Sequence, residues 1–389
     1  MKDFTFMSPT KIYFGKDALQ NLSVALQGYK RVLLVYGQNS IKANGIYSKV
    51  VEQLNKAGVS FFELFGIRPN PEVAKVREGL EIVRKNHIDL VLAIGGGSVI
   101  DTAKAICAGY FYNGDPFDLN LHKAEPTKAL PLGVVLTISA SGSELSDSCV
   151  VMDDKTKIKQ GFNSDVVRPT FAIMNPEFTY SVNSYQTGCG IVDIISHSLE
   201  RYFTQSENLE VCDTLALAVI KDVVEAGKVV AQDPLNYDAR AALMLLGAYS
   251  HNGLTSLGKQ KQMPIHKMEH ALSAYDIRIA HGAGLSILIP AWMEVAYKND
   301  VNKFARFAKE IFGVKSKNPE KAARKGIELL KQYFSSIGMP VTLKEVDIKK
   351  EDIEPIVDLM TNNGALVVGQ KSIKPLNKED IVKMFESLV

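Results

Sequence analysis

Apolar runs that alternate with amphipathic helical stretches constrain the fold of this chain more than any other feature. The run RVLLVYG at 31–37 is continuously apolar, as expected of a strand buried on both faces, and an amphipathic stretch follows it. A second apolar run and a second helical stretch then lead to a third run, DLVLAIGGG, at 89–97. Strands that alternate with helices predict an α/β, Rossmann-like domain with a doubly wound parallel sheet.

The second half of the chain has a different pattern. After residue 176 the strand signal stops, and amphipathic helical stretches continue to the end of the chain. The change falls in the polar stretch 176–186, which lacks helical periodicity. We therefore expect an α/β domain at 1–180 and an all-α domain at 181–389. A length of 389 residues with 46% hydrophobic residues is sufficient for two such cores.

A glycine-rich turn follows the third apolar run and leads into a helix that carries Asp101. Residues without side chains let the backbone approach a pyrophosphate, and the amide groups at a helix start attract an anion. The pattern is neither GxGxxG nor a GK[ST] loop, and the alternative is a tight turn that binds nothing. The candidate phosphate-binding residues are Gly95, Gly96, Gly97 and Ser98.

The loop after the first apolar run bears on the choice of cofactor. An acidic residue at this place binds ribose hydroxyls and repels a 2′-phosphate. Here the loop is neutral, and Lys42 follows closely. This composition favours NADPH over NADH. The residues concerned are Gly37, Gln38, Asn39 and Ser40.

Histidines are concentrated between residues 197 and 281. On a helix His266 and His270 share one face, and the pair Asp193 and His197 repeats their spacing; His281 follows in an expected loop. These side chains can converge on one divalent ion, and nitrogen ligands with one carboxylate suit zinc or iron better than calcium or magnesium. The alternative is that they are ordinary core or surface histidines.

Charge balance, apolar runs and cysteine spacing limit which partners and which cellular compartment the sequence suits. Lys plus Arg number 45 against 43 for Asp plus Glu, and the charges are scattered, which argues against nucleic acid or an anionic membrane as partner. The N-terminus lacks an apolar signal region, and no apolar run is long enough to span a bilayer. Four widely spaced cysteines suit reduced thiols in a cytoplasmic protein. They are Cys107, Cys149, Cys189 and Cys212.

A dinucleotide site in one half and a metal site in the other suit hydride transfer between an alcohol and a carbonyl compound. Three motifs carry a closer resemblance: GGGSVID at 95–101, the pair Asp193 and His197, and HKMEHALSAYDIRIAHG at 266–282. With YGQNSIKANG at 36–45 and LTISASGSE at 136–144, the chain resembles the iron-containing (group III) alcohol dehydrogenases, in particular their NADPH-dependent butanol dehydrogenase-like branch.

The resemblance implies a Rossmann-like domain followed by an all-helical domain, a homodimer, NADP(H), and Fe²⁺ with Zn²⁺ or another divalent first-row metal as substitutes. It implies conversion between short- to medium-chain aldehydes and primary alcohols, butanal and butanol among them. His270 would face the substrate. The implied metal ligands are Asp193, His197, His266 and His281, and further implied cofactor contacts are Asp101, Thr137, Ser141 and Lys159.

The chain departs from the family pattern at three places. The interval between His270 and His281 is one residue longer than usual, which bears on the choice of metal. Gln38 and Asn39 replace glycines common in NADPH enzymes. Asn175 replaces a common Asp, and we expect its role to be structural.

Three other functions fit parts of this pattern. An NAD-dependent, glycerol dehydrogenase-like polyol oxidoreductase would share both sites. A dehydroquinate synthase-like lyase would need several cations around the metal to bind a phosphate, and the neighbourhood supplies only Lys267, Arg278 and Arg201. A metallohydrolase or a metal-binding regulator would leave the glycine turn without a ligand.

Overall fold

The apolar runs of the first half form a six-stranded sheet. The computed structural model describes residues 3–205, 210–260 and 262–389. The strands of this part are β1 (Lys11–Phe14), β2 (Arg31–Tyr36), β3 (Ser60–Leu64), β4 (Leu90–Gly95), β5 (Leu132–Leu136), β6 (Ser148–Asp153), β7 (Ile158–Asn163) and β8 (Phe171–Met174). The sheet has the order β1-β8-β5-β4-β2-β3, and all its neighbouring strands are parallel.

Helices cover both faces of this sheet. Every residue of β4 and β5 is buried, which explains their uninterrupted apolar sequence. The helices of this part are α1 (Leu22–Ala25), α2 (Ser40–Ala43), α3 (Ile46–Ala57), α4 (Val73–Asn86), α5 (Gly97–Gly109) and α6 (Phe117–Asn120). Alternate residues such as Leu34 and Leu92 face the core formed with α1 and α3, while α4 and α5 also contact β2. The predicted α/β class is confirmed.

The strand order creates a switch point between β2 and β4. The chain leaves β2 for β3 on one side and then crosses to β4 on the other side. Tyr36 pairs with Ile94, and Gly95 pairs with Leu136, so β2, β4 and β5 end at one edge of the sheet. Open α/β sheets bind ligands at this carboxyl edge, next to the switch point.

An antiparallel hairpin formed by β6 and β7 stands apart from the main sheet, and the sequence pattern did not predict it. Its strands carry charged residues and Gly161, which interrupt the alternation of a half-buried strand. Asn120 fastens the hairpin, because its side chain donates to the carbonyls of Cys149 at 3.1 Å and Gln160 at 2.9 Å. Lys159 lies on β7, opposite Met152.

The rest of the chain is helical, as predicted, with isolated β-bridges and no longer strand among its described residues. The expectation that His281 lies in a loop is wrong, because this residue begins the helix His281–Ala296. No described helix has the length and apolarity needed to cross a membrane. The helices are α7 (Ser184–Tyr202), α8 (Glu210–Gln232), α9 (Tyr237–His251), α10 (Pro264–Tyr275), α11 (His281–Ala296), α12 (Val301–Phe312), α13 (Pro319–Ser336), α14 (Lys350–Thr361) and α15 (Lys378–Glu386).

The chain divides into two structural units. The first comprises Met7–Val182 with Leu235–Ala248. The second comprises Asn183–Pro234 and Tyr249–Val389, together with the residues up to Phe6. Most of α9 therefore belongs to the first unit, although it follows the sheet in sequence by more than one helix.

Gly282 lets α11 pack closely on α7. A Cβ at this position would lie 2.3 Å from the carbonyl oxygen of Cys189 and 2.4 Å from its Cα. Both obstacles are backbone atoms, so no side-chain rotation relieves them. The contact places His281, the residue before Gly282, beside the helix that carries Asp193.

We predict that Gly282→Ala lowers the free energy of unfolding by about 1–3 kcal/mol, because the added Cβ would push α11 away from the backbone of α7. Urea unfolding followed by circular dichroism measures the effect. Gly109→Ala is the matched control, since its Cβ would meet only side-chain atoms, of Leu80 and of Pro116, and neither is nearer than 3.2 Å. A Gly282→Ala protein as stable as the parent would contradict the packing argument.

Candidate metal centre and cofactor-binding edge

The carboxyl edge of the sheet gathers most of the predicted cofactor residues. The turn after β4 lies between the loops after β2 and β5, and the amide of Thr137 donates to the carbonyl of Gly95 at 3.1 Å. Ser98 lies in the first turn of α5. The loop after β2 presents three exposed polar side chains. The predicted residues at this edge are Gly37, Gln38, Asn39, Ser40, Gly95, Gly96, Gly97, Ser98, Thr137 and Ser141.

The glycines of the turn are required by packing within the chain. A Cβ on Gly96 would lie 2.1 Å from Cγ2 of Ile138, and one on Gly97 would lie 2.5 Å from Oγ of Ser141. The absent side chains therefore let the loop after β5 come close to the start of α5. The arrangement brings Ser141 next to the helix N-terminus, whose amide groups favour an anion.

Asp101 and Lys104 hold the segment that follows this loop. The Asp101 carboxylate accepts from the Ser143 hydroxyl at 2.6 Å and from the Val150 amide at 2.9 Å. The ammonium of Lys104, which is fully buried, donates to the carbonyls of Ser146 and Ser148 at 2.9 and 2.8 Å. Burial raises the pKa of Asp101, although Lys104 acts against this shift. Sequence reasoning gave Lys104 no role, because a buried lysine looks like any other helical lysine.

A charged cluster adjoins the loop after β2. The Lys42 ammonium lies 5.2 Å from the ring centre of Tyr36 and 4.9 Å from that of Tyr47. The hydroxyl of Tyr47 hydrogen-bonds to Glu63 on β3, and this contact raises the pKa of Tyr47 to about 12. Glu63 also acts on Lys42 electrostatically. The loop sequence is neutral, but a carboxylate from the neighbouring strand lies close to it.

The predicted metal ligands come from three helices of the second unit. Asp193 and His197 lie on α7, His266 on α10, and His281 at the start of α11. The side chains of Asp193 and His197 are 7% and 4% exposed, and that of His281 is 28% exposed. His270 is half-buried beside His281, with ring centres 5.7 Å apart. Solvent therefore reaches the group from the side of His270 and His281.

Nitrogen atoms of three histidines surround one oxygen of Asp193. Its Oδ1 lies 3.4 Å from Nε2 of His266 and 3.6 Å from Nε2 of His197 and of His281. An ion bound tetrahedrally by ligands about 2.1 Å away separates those ligand atoms by about 3.4 Å. Within the described residues, Oδ1 of Asp193 and Nε2 of His266 are buried and have no hydrogen-bond partner. Ligand atoms of Asp193, His266 and His281 all lie within 4.8 Å of one another, and His197 is not part of this set. Imidazole nitrogens with one carboxylate oxygen fit a divalent first-row metal.

The protonation of these rings differs with their surroundings. Burial, with His251 and His266 nearby, holds the pKa of His197 well below its usual value. The rings of His197 and His266 stack with centres 4.7 Å apart. Burial alone would lower the pKa of His266, but Glu200 and Asp193 outweigh it and raise this pKa to about 9.

Two buried glutamates contact the histidines from behind, and sequence reasoning missed both. Oε2 of Glu200 hydrogen-bonds to Nδ1 of His266, and Oε2 of Glu269 hydrogen-bonds to Nδ1 of His281. Both side chains are fully buried. Their positions in the sequence could have indicated them, because both lie close to predicted ligands. Glu200 follows His197 by three residues, and Glu269 stands between His266 and His270.

A second set of side chains overlaps the first. Potential ligand atoms of Glu269, His270 and His281 lie within 4.8 Å of one another, as do those of Asp193, His266 and His281. The set with Glu269 is more exposed, and its carboxylate already hydrogen-bonds to the ring of His281. The set around Asp193 is more buried and contains three of the four predicted ligands, without His197.

Comparisons with known proteins agree over the whole chain. A family model described as iron-containing alcohol dehydrogenase matches residues 9–176, and one described as Fe-containing alcohol dehydrogenase family, C-terminal, matches residues 187–389. NADH-dependent butanol dehydrogenase A of Clostridium acetobutylicum is 40% identical, with 99% of each chain covered. NADPH-dependent aldehyde reductase YqhD of Escherichia coli is 31% identical, with 95% of this chain and 96% of that protein covered.

A solved structure is similar throughout. The crystal structure of NADH-dependent butanol dehydrogenase A from Thermotoga maritima superposes with a TM-score of 0.96 at 38% identity, and covers 100% of this chain and 99% of that chain. Fold and similarity define an oxidoreductase that acts on alcohols or aldehydes. More particularly, the chain belongs to the iron-containing alcohol dehydrogenase family. Membership confirms the predicted family, implies a nicotinamide cofactor and iron, and favours a dehydrogenase over the lyase and non-redox alternatives.

We predict that His266→Asn abolishes stoichiometric metal binding and that His270→Asn retains it, because His266 belongs to the set of ligand atoms around Asp193 and His270 does not. Elemental analysis after loading with Zn²⁺ and dialysis measures the metal bound per chain. His122→Asn is the matched control, because this exposed histidine has a positive φ that Asn tolerates. Loss of metal in His270→Asn with retention in His266→Asn would assign the ion to the set with Glu269 instead.

Proposed function

We propose that this protein is a metal-dependent alcohol dehydrogenase that transfers hydride between NADP(H) and a short- to medium-chain alcohol or aldehyde of the butanol and butanal kind. The observation that carries the proposal is the convergence of three imidazole nitrogens on one buried oxygen of Asp193, at 3.4–3.6 Å. Family membership supports it. Relatives named butanol dehydrogenase at 38–40% identity support the substrate class.

Asp193, His197, His266 and His281 would hold the ion. When bound, the metal supplies Lewis acidity to the substrate oxygen, and the nicotinamide supplies or accepts the hydride. Asp193 and His266 are buried and His281 is partly exposed, so substrate would approach the ligand set on the side of His281. There His270 would pass a proton to the oxygen of the aldehyde as its carbon gains hydride, and would recover that proton from solvent.

The carboxyl edge of the sheet would bind the cofactor. The turn 95–98 and the start of α5 would receive the pyrophosphate, with Thr137 and Ser141 beside it. Asp101 and Lys159 would lie on the nicotinamide side of the cofactor. Asp101 also holds the segment after β5 in place through its hydrogen bonds to Ser143 and Val150. The division into a dinucleotide-binding domain, 1–180, and a metal-binding domain, 181–389, is part of this proposal, as are a homodimer and a cytoplasmic location.

The cofactor preference rests on the loop after β2. Gly37, Gln38, Asn39 and Ser40 carry no negative charge, and the Lys42 ammonium is exposed nearby, which supports NADP(H). The same reaction with NADH is the second candidate, and two observations favour it. The Glu63 carboxylate attracts the Lys42 ammonium and partly offsets its positive charge. In addition, the relatives at 38–40% identity are named NADH-dependent, whereas those named for NADPH are 28% and 31% identical.

The decisive assay is the butanal-dependent oxidation of NADPH and, in parallel, of NADH. The protein is first stripped of metal and then reconstituted anaerobically with Fe²⁺ or Zn²⁺. We expect stripped protein to lose at least about 100-fold in rate, because the bound ion supplies several kcal/mol of charge stabilisation. Metal should restore the rate. Equal turnover of stripped and reconstituted protein would contradict the metal role.

The same assay separates the two cofactors. A higher kcat/KM with NADPH supports the argument from the neutral loop, and Lys42→Met should then reduce this value more for NADPH than for NADH. A higher kcat/KM with NADH, unchanged in Lys42→Met, would overturn the NADP(H) preference and leave the metal site intact. Lys49→Met on α3 is the matched control, because its side chain is also exposed.

A further inference from the structure

The metal ligands are oriented by groups that do not themselves face Asp193. Nδ1 of His266 hydrogen-bonds to Glu200, and Nδ1 of His281 hydrogen-bonds to Glu269. Both carboxylates are 0% exposed. The Nε2 atoms of the same two rings are those that lie 3.4 and 3.6 Å from Oδ1 of Asp193. Each ring is therefore held between a carboxylate on one nitrogen and the predicted ion on the other.

A neutral imidazole carries one N–H, and its partner decides which nitrogen has it. An ionised carboxylate only accepts hydrogen bonds, so it selects the tautomer with the proton on Nδ1. That tautomer leaves the lone pair of Nε2 free for a metal. Such carboxylates also make the imidazole a stronger electron donor and fix its plane.

We propose that Glu200 and Glu269 are positioning residues of the metal centre, each of which fixes the tautomer and orientation of one histidine ligand. The inference rests on the proposed function, because it requires an ion bound by His266 and His281. On this inference neither glutamate is itself a metal ligand, although a carboxylate oxygen of Glu269 lies within 4.8 Å of ring nitrogens of His270 and His281.

The two carboxylates differ in what else they hold. Glu200 accepts from the backbone amide of Ile265 at 2.6 Å, so it also satisfies an amide in the first turn of α10. Glu269 instead links α10 to α11. Gly284 leaves room for it, because a Cβ there would lie 2.9 Å from Cγ of Glu269. Removal of Glu200 therefore affects the helix as well as the ring, and Glu269 is the more informative residue to change.

His197 provides an internal comparison. Its Nδ1 is buried and has no hydrogen-bond partner among the residues described. The nearest ring, that of His251, packs edge-on with its centre 4.0 Å away. A change at Glu269 should therefore alter the ring of His281 and leave the ring of His197 as it was.

The test compares Glu269→Gln and Glu269→Met in zinc-loaded protein with ¹⁵N-labelled histidine. NMR of the ring nitrogens should show a protonated Nδ1 and a metal-bound Nε2 for His281 in the parent. The amide oxygen of Gln can still accept the Nδ1 proton, so Glu269→Gln should keep this signal with faster exchange, and Glu269→Met should lose it. Competition with a chelator should show Zn²⁺ affinity reduced about 10- to 100-fold in Glu269→Met and less in Glu269→Gln.

Glu294→Gln is the matched control, because Glu294 is exposed on α11 and should change neither readout. If Glu269→Met fails to fold, Gly284→Ala displaces the carboxylate without removing it and should weaken Zn²⁺ binding. Unchanged affinity and NMR signals in Glu269→Met would overturn the inference, as would an unprotonated Nδ1 of His281 in the parent. If the parent itself binds no metal, the proposed function fails; if it binds metal and the variants match it, only this inference fails.

Discussion

The structure around the candidate site depends on one constraint, which is that a buried carboxylate oxygen of Asp193 faces three imidazole nitrogens. An unpaired carboxylate inside a protein is costly, and a cation is what offsets that cost. The three helices that carry these groups must approach within a few ångströms of one another. Gly282 permits the approach of α11 to α7, and Glu200 joins α7 to α10. The packing of the second unit therefore supports the geometry of the proposed metal site.

Close packing at glycines also shapes the carboxyl edge of the sheet, as it does the contact between α11 and α7. Glycines at 96 and 97 admit Ile138 and Ser141, so the turn after β4 and the loop after β5 form one surface. A network behind that surface, with Lys104 and Asp101 at its centre, ties the loop to the rest of the unit. Burial raises the pKa of Glu144, in the same segment, to about 7. A surface made of fixed backbone amides suits a phosphate group, because no side chain has to be ordered when it binds.

Much of this arrangement is visible in the sequence, and the missing parts have physical reasons. The strands β2, β4 and β5 are predictable because both faces are buried, and the pair Asp193 and His197 because helical spacing puts both on one side. Glu200, Glu269 and Glu63 were missed because a glutamate gives the same sequence signal whether it is solvated or buried against a histidine or a tyrosine. The start of α11 at His281 was missed because the glycines after it resemble a loop. Their function is close packing on α7 and α10, which no local pattern encodes.

The measurement that tests this account most directly is a crystal structure of the zinc-loaded protein, with the ion located by anomalous scattering at its absorption edge. The account predicts one ion per chain, about 2.0–2.2 Å from an oxygen of Asp193 and from Nε2 of His197, His266 and His281. Glu200 and Glu269 should remain on the Nδ1 atoms. An ion held by Glu269, His270 and His281, or no ordered ion beside Asp193, would contradict the account.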